Sequence, residues 1–554
     1  MKARKILSLL LTLILCLGIL AGCNTLPQES TQSTTKATEG TTAATTEATT
    51  ETTEPAPLSN AERYPIDFDG TLTCVTSRTT ASETAYWLAW EEHTGVDVEW
   101  QVASQEQTPL LFLDKKMMPD MFFQTSGITV VQINEYGQQG MLINYMDYLD
   151  KMPNVAARYA EDPMLFDAVK DAEGNVYTLT YFCNTLTMPA NLFYVRTDMT
   201  KKAGIEELPT TIEGVLEMCE ILKEYYKDVD GYIPMAVNGP AQMRYAGNVA
   251  QFFFPAFGEL MQPGIGTNTD ATKIEIGFAS EQYKRYVTFM HTLYTEGYLD
   301  PDCFTNESST TKAMTNEGKV TMHNNATQLT KNHFESGELD FQVIPALSSQ
   351  YQNQARWALP NNYLQGYYMI SSTCSDLDAA LAFMDALYSV REDPLNEEGT
   401  VWGISIWLGE MGVNYVLDEE NGTYTQTVPE GYDEAGWKAI RGSGSGAYLD
   451  WPYVENTGTG AMRKAEGYQK ILKPDGVKIL YTTLLQLTQE EQDIYNDVWT
   501  DIDTKVTEMN AAFITGQADI EAEWGNYVKS LYDMGLQDVI DVYQAALDRY
   551  NAAN

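Results

Sequence analysis

Apolar and polar positions divide the chain into three regimes. From Ile6 to Leu20 the sequence is almost unbrokenly apolar behind a basic start of Lys2, Arg4 and Lys5. That run of about 15 residues falls short of the ~20 a membrane-spanning helix needs and has the layout of a secretory signal peptide. From Asn24 to Leu58, Thr, Glu, Ala and Pro dominate and no aromatic residue appears. Such a stretch cannot bury a core and predicts a disordered leash with a span on the order of 30 Å. Beyond Ala61, segments of period 2 alternate with segments of period 3.6. Thr71–Val75 reads as a first strand. Thr80 opens a helix with Glu83 three residues on, a capping-box spacing, and Thr94-Gly95 ends it. Val96, Val98, Trp100 and Val102 alternate as the next strand, and Met118–Phe123 holds a third after a second helix. Strand and helix taking turns predict an α/β fold.

Further strands are expected at Val176–Leu179, Phe193–Arg196, Gly318–Met322 and Phe341–Pro345. A helix follows Thr210, again with a glutamate, Glu213, three residues on. The segment from Ser375 to Ser389 places Ala380, Phe383, Met384 and Leu387 on one helical face. The end of the chain is helical. Thr488 and Glu491 cap a helix whose Ile494, Val498, Ile502, Val506, Met509 and Phe513 recur at helical spacing, Gly516 and Gly535 end this helix and the next, and Leu536–Tyr550 forms a third. The triplet Phe252-Phe253-Phe254 before Pro255 reads as packing.

Composition narrows the function classes. A formal charge of −42 repels phosphate backbones, so no nucleic-acid partner is expected. An acidic exterior also keeps the chain off anionic membranes other than through a lipid. The 34 tyrosines and 10 tryptophans exceed what cores alone call for and leave rings for a binding cleft. Five cysteines lie beyond the first segment and the tether: Cys74, Cys183, Cys219, Cys303 and Cys374. They are scattered, without the tight spacing of a zinc site or a disulfide framework. They read as buried small residues, with a single disulfide left open. No H-E-x-x-H, G-x-S-x-G or phosphate-binding G-x-x-x-x-G-K motif occurs. Arg441–Gly446 is glycine-rich but lacks the following lysine. Ser309-x-x-Lys312 matches a motif that Ser33-x-x-Lys36 in the leash matches equally well, and no K-T-G completes it. Neither catalytic residues nor a cofactor nor a metal is expected, although 77 acidic residues leave a glycoside-hydrolysing carboxylate pair open.

Two resemblances sharpen this picture. Leu20-Ala21-Gly22-Cys23 resembles the lipobox of bacterial lipoproteins, which implies cleavage before Cys23, its lipidation, and a mature chain tethered outside the cytoplasm. Beyond the leash, Glu92-x-Thr94-Gly95-Val96, Pro119-Asp120-Met121, Tyr136-Gly137-x-x-Gly140, Gly174-x-x-Tyr177, Arg196-x-Asp198, Leu208-Pro209-Thr210-Thr211, Glu296–Pro301, and Phe513–Gly516 with Trp524-x-x-Tyr527 occur in order. Together they resemble the extracellular solute-binding lipoproteins of bacterial ABC importers, nearest the carbohydrate-type, maltose-binding-like class.

The resemblance implies an α/β, two-lobed periplasmic-binding-protein type II fold with discontinuous lobes and a C-terminal helical region. The expected division is signal peptide 1–22, tether 23–59, first lobe 60–183, second lobe 184–345, a return to the first lobe 346–390, and helices of the second lobe 391–554. Crossings are expected near Tyr181–Pro189 and Pro345–Asn361. The implied partners are a carbohydrate of oligosaccharide size and the transmembrane subunits of an ABC permease, with the chain itself a monomer. The implied ligand-binding residues are Ser77, Arg78, Gln124, Thr125, Asn184, His323, Asn324, Asn325, Gln328, Asn362, Tyr363, Trp402 and Trp407, with Trp451 and Tyr453 as further stacking surfaces. Gln124 stands where maltose-binding-like relatives often carry an aromatic residue, which argues against maltodextrin. Asp228-x-Asp230-Gly231 occupies the place of a calcium loop in many relatives but lacks its length and closing glutamate, and is expected to be a plain acidic turn. A surface carbohydrate-active hydrolase and capture of a non-sugar solute by the same fold stay open as alternatives.

Overall fold

The computed structural model describes residues 59–77, 84–185, 192–237, 239–324, 340–389, 408–409, 411–441, 447–451, 453–456, 465 and 467–553. Cys23, the leash, Arg78, the Thr80–Glu83 capping pair, Asn325, Gln328, Trp402 and Trp407 lie outside them.

Two sheets organise these residues. The first contains β1 (Leu72–Thr76), β2 (Val98–Val102), β3 (Met121–Phe123), β4 (Leu179–Thr185), β12 (Tyr363–Ile370) and β15 (Tyr448–Trp451), in the order β15-β4-β12-β3-β1-β2. β1 pairs in parallel with β2 and β3, and β15 in parallel with β4. β12 runs antiparallel between β3 and β4, with Tyr368 opposite Phe123 and Tyr363 opposite Phe182. Every residue of β3 is buried, as expected of a central strand covered on both faces. Its Phe123 meets Trp87, Tyr368 and Phe383 edge to face at 4.9, 5.0 and 6.4 Å. These contacts tie the helices Ala85–Thr94 and Leu377–Ala386 to the sheet.

The second sheet has the order β10-β5-β9-β6, from β5 (Tyr194–Val195), β6 (Ile233–Met235), β9 (Val320–His323) and β10 (Gln342–Val343). Its core gathers Phe193, Phe252, Phe253 and Phe254 with Tyr283, Met290, Phe513 and Trp524. The phenylalanine triplet is thus packing, as its sequence suggests. A hairpin, β7 (Ile265–Thr267) with β8 (Ile274–Ile276), leans on both cores through Ile265 and Ile276. The short pair β11 (Trp357–Ala358) and β17 (Gly476–Val477) runs in parallel. β13 (Tyr415–Asp418), β14 (Thr423–Gln426) and β16 (Val454–Glu455) form a small third sheet.

Several expectations shift by a residue or more. The cap of the helix Ile212–Tyr225 is Thr211, not Thr210: its hydroxyl accepts from the Gly214 N–H at 3.0 Å, while the Thr210 carbonyl is taken by Ser348. The Thr488–Glu491 capping box is present and opens a 27-residue helix, Gln489–Thr515, that Gly516 ends. The stretch after residue 390, expected in the second lobe, serves both cores. β15 joins the first sheet because Tyr448 stacks on Phe182 at 4.7 Å, and Leu480, Leu484, Ala546 and Leu547 enter the first core. No disulfide joins the five cysteines; four are buried and Cys374 is partly so. Among the described residues no helix is long and apolar enough to cross a membrane.

The described chain starts with a pinned end. Ser59 and Glu62 form a capping box around Asn60–Arg63. The Arg63 guanidinium donates to the buried Asp385 carboxylate at 2.7 Å, and that carboxylate also accepts from the Asn154 amide at 2.8 Å and the Val155 N–H at 2.9 Å. Asn60 and Asn154 exchange amide hydrogen bonds at 3.0 Å.

Burial raises the Glu91 carboxyl to about 7, against the lowering effect of the Trp100 indole N–H that donates to it at 2.9 Å; nearby Asp97 pushes it further up. Between pH 4.5 and about 7 the folded chain keeps a proton that the unfolded chain releases. Stability from this group is therefore present below that window and lost as pH rises through it. His93 on the same helix, lowered by burial to about 4, acts with the opposite sign below its ordinary value. Glu91→Gln is expected to remove the loss, so that the urea midpoint at pH 7.5, taken relative to that at pH 5, is higher in the variant than in the parent chain, where Glu91 opposes His93.

Candidate functional site

Strand direction brings one set of candidate residues to a single edge. β1, β3, β4 and β15 run the same way and β12 runs opposite. The C-terminal ends of the four thus meet the start of β12, the edge where α/β sheets bind ligands. Ser77, Gln124, Thr125, Asn184 and Asn362 all sit there. The Ser77 N–H donates to the Gln124 carbonyl at 3.4 Å, and its hydroxyl accepts from the N–H and hydroxyl of Ser126 at 3.0 and 2.9 Å. Gln124 adopts φ +48, a conformation rare outside glycine, and its amide donates to the Tyr368 hydroxyl at 2.9 Å. Backbone strain of this kind gathers at binding sites because the surrounding contacts must enforce it. The Asn362 amide donates to the exposed Asn184 at 3.4 Å. Thr125 is buried, and among the described residues its hydroxyl has no partner.

Gly127 fixes the loop that carries these groups. It holds φ +86, and a Cβ there would lie 1.9 Å from the Gln105 carbonyl oxygen.

Two expected ligand residues make contacts within the protein. His323 is fully buried, its ring stacked on Tyr194 at 5.8 Å with Phe341 beyond. It closes the second core, because β9 ends one residue later than its apolar pattern suggests. The Tyr363 hydroxyl donates to the Asp162 carboxylate at 2.6 Å while its ring tilts on Phe182. Burial, and then the Asp162 charge, hold its phenol well above the usual range. Asn324 is also buried, and its amide donates to Gln242 at 3.2 Å, tying the end of β9 to the turn that begins at Gly239. At this strand end of the second lobe the described side chains pack on the core or bond a neighbouring turn. Among the described residues no three His, Cys, Asp or Glu side chains converge as metal ligands. Asp228 and Asp230 are exposed in the turn after the helix Ile212–Tyr225.

Sequence reasoning missed a cavity of about 300 Å³ beside the β11–β17 pair. Tyr245, Gln262, Tyr481 and Trp499 line it, with Ile265 and Tyr543, both of which pack against the two cores. The signal was present in the sequence. Tyr495 and Trp499 stand four apart on Gln489–Thr515, one position off the aliphatic stripe that begins at Ile494. Ile494 is exposed, whereas the two rings stack at 5.1 Å and pack on the second core.

A profile of bacterial extracellular solute-binding proteins matches residues 76–393, more than half of the chain. The chain belongs to this family. Its membership agrees with two sheets on two cores joined by crossing segments. The fructooligosaccharide ABC transporter substrate-binding protein FusA of Streptococcus pneumoniae is 22% identical over 492 residues, 83% of this chain and 86% of that protein. Among solved structures, FusA of S. pneumoniae, as an EF-hand mutant with fructo-nystose, superposes with a TM-score of 0.67 at 19% identity, over 88% of this chain and all of the other. A human-milk-oligosaccharide (HMO) binding solute-binding protein of Bifidobacterium longum infantis gives 0.67 at 18% identity, over 87% and 99%. These likenesses establish the two-lobed fold for this solute-binding protein.

Proposed function

We propose that this solute-binding protein captures an uncharged oligosaccharide between its lobes and delivers it to the permease of an ABC importer. It does so as a binder without catalysis, held outside the cytoplasmic membrane by a lipid on Cys23 and the leash that follows. The observation that carries the reading is the composition of the first-sheet edge. Ser77, Gln124, Thr125, Asn184 and Asn362 are all neutral hydroxyls and amides, able both to donate and to accept. A sugar hydroxyl has the same dual character. The substrate-binding role of FusA supports the same conclusion. Closure of the lobes on the ligand supplies contacts that the open form lacks, which is how binding energy becomes a shape change.

A thermal-shift panel of neutral mono- and oligosaccharides tests the proposal. A sugar at 100 times its Kd is expected to add about 2.7 kcal/mol to stability if it binds only the folded chain. The sugar is expected to be recovered unshortened after incubation. Gln124→Ala is expected to weaken that ligand about tenfold, which corresponds to about 1.4 kcal/mol. No shift with any sugar, or shortened products, overturns the reading.

A further inference from the structure

Among the described residues only Gln124 and Ala271, glycines aside, hold a positive φ. Ala271 lies in the turn between β7 and β8, where its N–H donates to the Asn268 carbonyl at 2.9 Å, so its conformation serves a hairpin. Gln124 follows directly on β3. An L-residue at φ +48 crowds its Cβ against the next carbonyl oxygen, so neighbouring contacts have to enforce the conformation. One such contact comes from another strand: the Gln124 amide donates to the hydroxyl of Tyr368 on β12, 244 positions away, at 2.9 Å.

Tyr368 is built as a fixed post. It has no exposed surface. Its N–H donates to the Thr178 hydroxyl at 3.1 Å, and its carbonyl accepts from the hydroxyls of Tyr145 and Thr178 at 3.2 and 3.3 Å. It lies opposite Phe123 in the β3–β12 register, with the two rings edge to face at 5.0 Å. The pairing of β12 with β4 shifts register between Leu364 and Tyr368, the kind of irregularity that re-aims a side chain. A glutamine side chain turns about three bonds, and tying its far end to such a post removes that freedom before a ligand arrives.

The loop beyond Gln124 inherits its direction. The Gln124 carbonyl accepts from the Ser77 N–H at 3.4 Å, and two residues on, Ser126 gives the Ser77 hydroxyl its two hydrogen bonds. We propose that Tyr368 is a positioning residue for ligand capture: from inside the first core its hydroxyl holds Gln124 in the left-handed conformation, so that the edge from Ser77 to Ser126 meets the ligand already formed. The proposal deepens the oligosaccharide reading and rests on it. Without the hydroxyl, the edge populates other arrangements, and apparent affinity falls by the fraction that remains competent.

Calorimetric titration of the full chain tests it, with the neutral trisaccharides kestose, raffinose and maltotriose as probes. Tyr368→Phe keeps the ring against Phe123 and removes only the hydroxyl, so its urea midpoint is expected to stay close to that of the parent. Its Kd for the probe that the parent binds most tightly is expected to rise about tenfold. In a chain that already carries Gln124→Ala, the same change is expected to alter Kd by less than about twofold, because Tyr368 acts through Gln124. A general loosening of the lobe would instead weaken binding equally in both backgrounds. Equal losses, or a parent-like Kd for Tyr368→Phe, therefore overturn the positioning role and leave the oligosaccharide reading standing. If Tyr368→Phe melts early, Gln124→Met decides the matter: it keeps the length of the side chain without the amide that Tyr368 holds, and a parent-like Kd for it overturns the proposal. If no probe binds the parent chain, the oligosaccharide reading falls and the positioning role falls with it.

Discussion

Asp385→Ala is expected to lower the unfolding free energy by about 3–5 kcal/mol, the usual cost of removing one partner from a buried ion pair. Asp385 has no exposed side-chain surface, and Arg63 retains only 15% of its own. Burial raises the carboxyl of Asp385, and the Arg63 charge with the Val155 and Asn154 hydrogen bonds offsets only part of that. Truncation takes the acceptor from the buried Val155 N–H and one acceptor each from the guanidinium and the Asn154 amide, which keep the Asn60 oxygen. The loss has a local signature too. Arg63 and the Asn60–Asn154 amide pair hold the first described turn against the helices Pro153–Glu161 and Leu377–Ala386. Limited proteolysis near Ser59 is therefore expected to accelerate before global unfolding, and chemical denaturation reads the total. Asp385→Asn keeps the shape and one acceptor oxygen, so it is expected to cost less than the alanine change. A parent-like denaturation midpoint for Asp385→Ala would show that the pair contributes nothing.

Gly127→Ala is expected to cost about 2–4 kcal/mol, the sum of a left-handed conformation forced on an L-residue and a local overpacking. A methyl group cannot stand 1.9 Å from the Gln105 carbonyl oxygen, so one of two backbone segments has to move. The movement passes to Ser126 and breaks its two hydrogen bonds to Ser77, displacing Gln124 and Thr125 with it. Ligand affinity is therefore expected to fall along with stability. Gly174→Ala provides the contrast. Gly174 has a similar φ of +88, but an added Cβ meets nothing within 4 Å, so only the conformational part, about 1–2 kcal/mol, is expected. Equal costs at the two positions, measured by denaturation, would remove the steric part of the argument.

The α/β class and most element positions were legible because they rest on local patterns. The period-2 and period-3.6 segments, the Thr488–Glu491 cap and the end at Gly516 need no knowledge of distant residues. Thr210 misled because two adjacent threonines satisfy the same cap signal, and only the pairing with Ser348 decides between them. The first-sheet edge was legible because strand ends follow from strand order. His323 and Tyr363 were not: whether a polar side chain faces a cleft or a core depends on Tyr194, Phe341 and Asp162, which are up to 201 positions away. The cavity at Trp499 escaped for a related reason. Its walls come from segments near residues 245, 262, 358, 481 and 543, and no window along the chain contains them together.

The interleaving of the first sheet bears on how this molecule is made. Its central strands come from residues 121–123, 179–185 and 363–370, and its edge strand β15 from 448–451. A nascent chain of 400 residues therefore lacks a flank of its first sheet and every helix of the C-terminal region. Pairings this remote along the chain form slowly, because loop closure precedes the contacts that reward it. The first sheet is therefore complete only once residues 448–451 have been made, so its last edge closes late, after both cores have most of their strands.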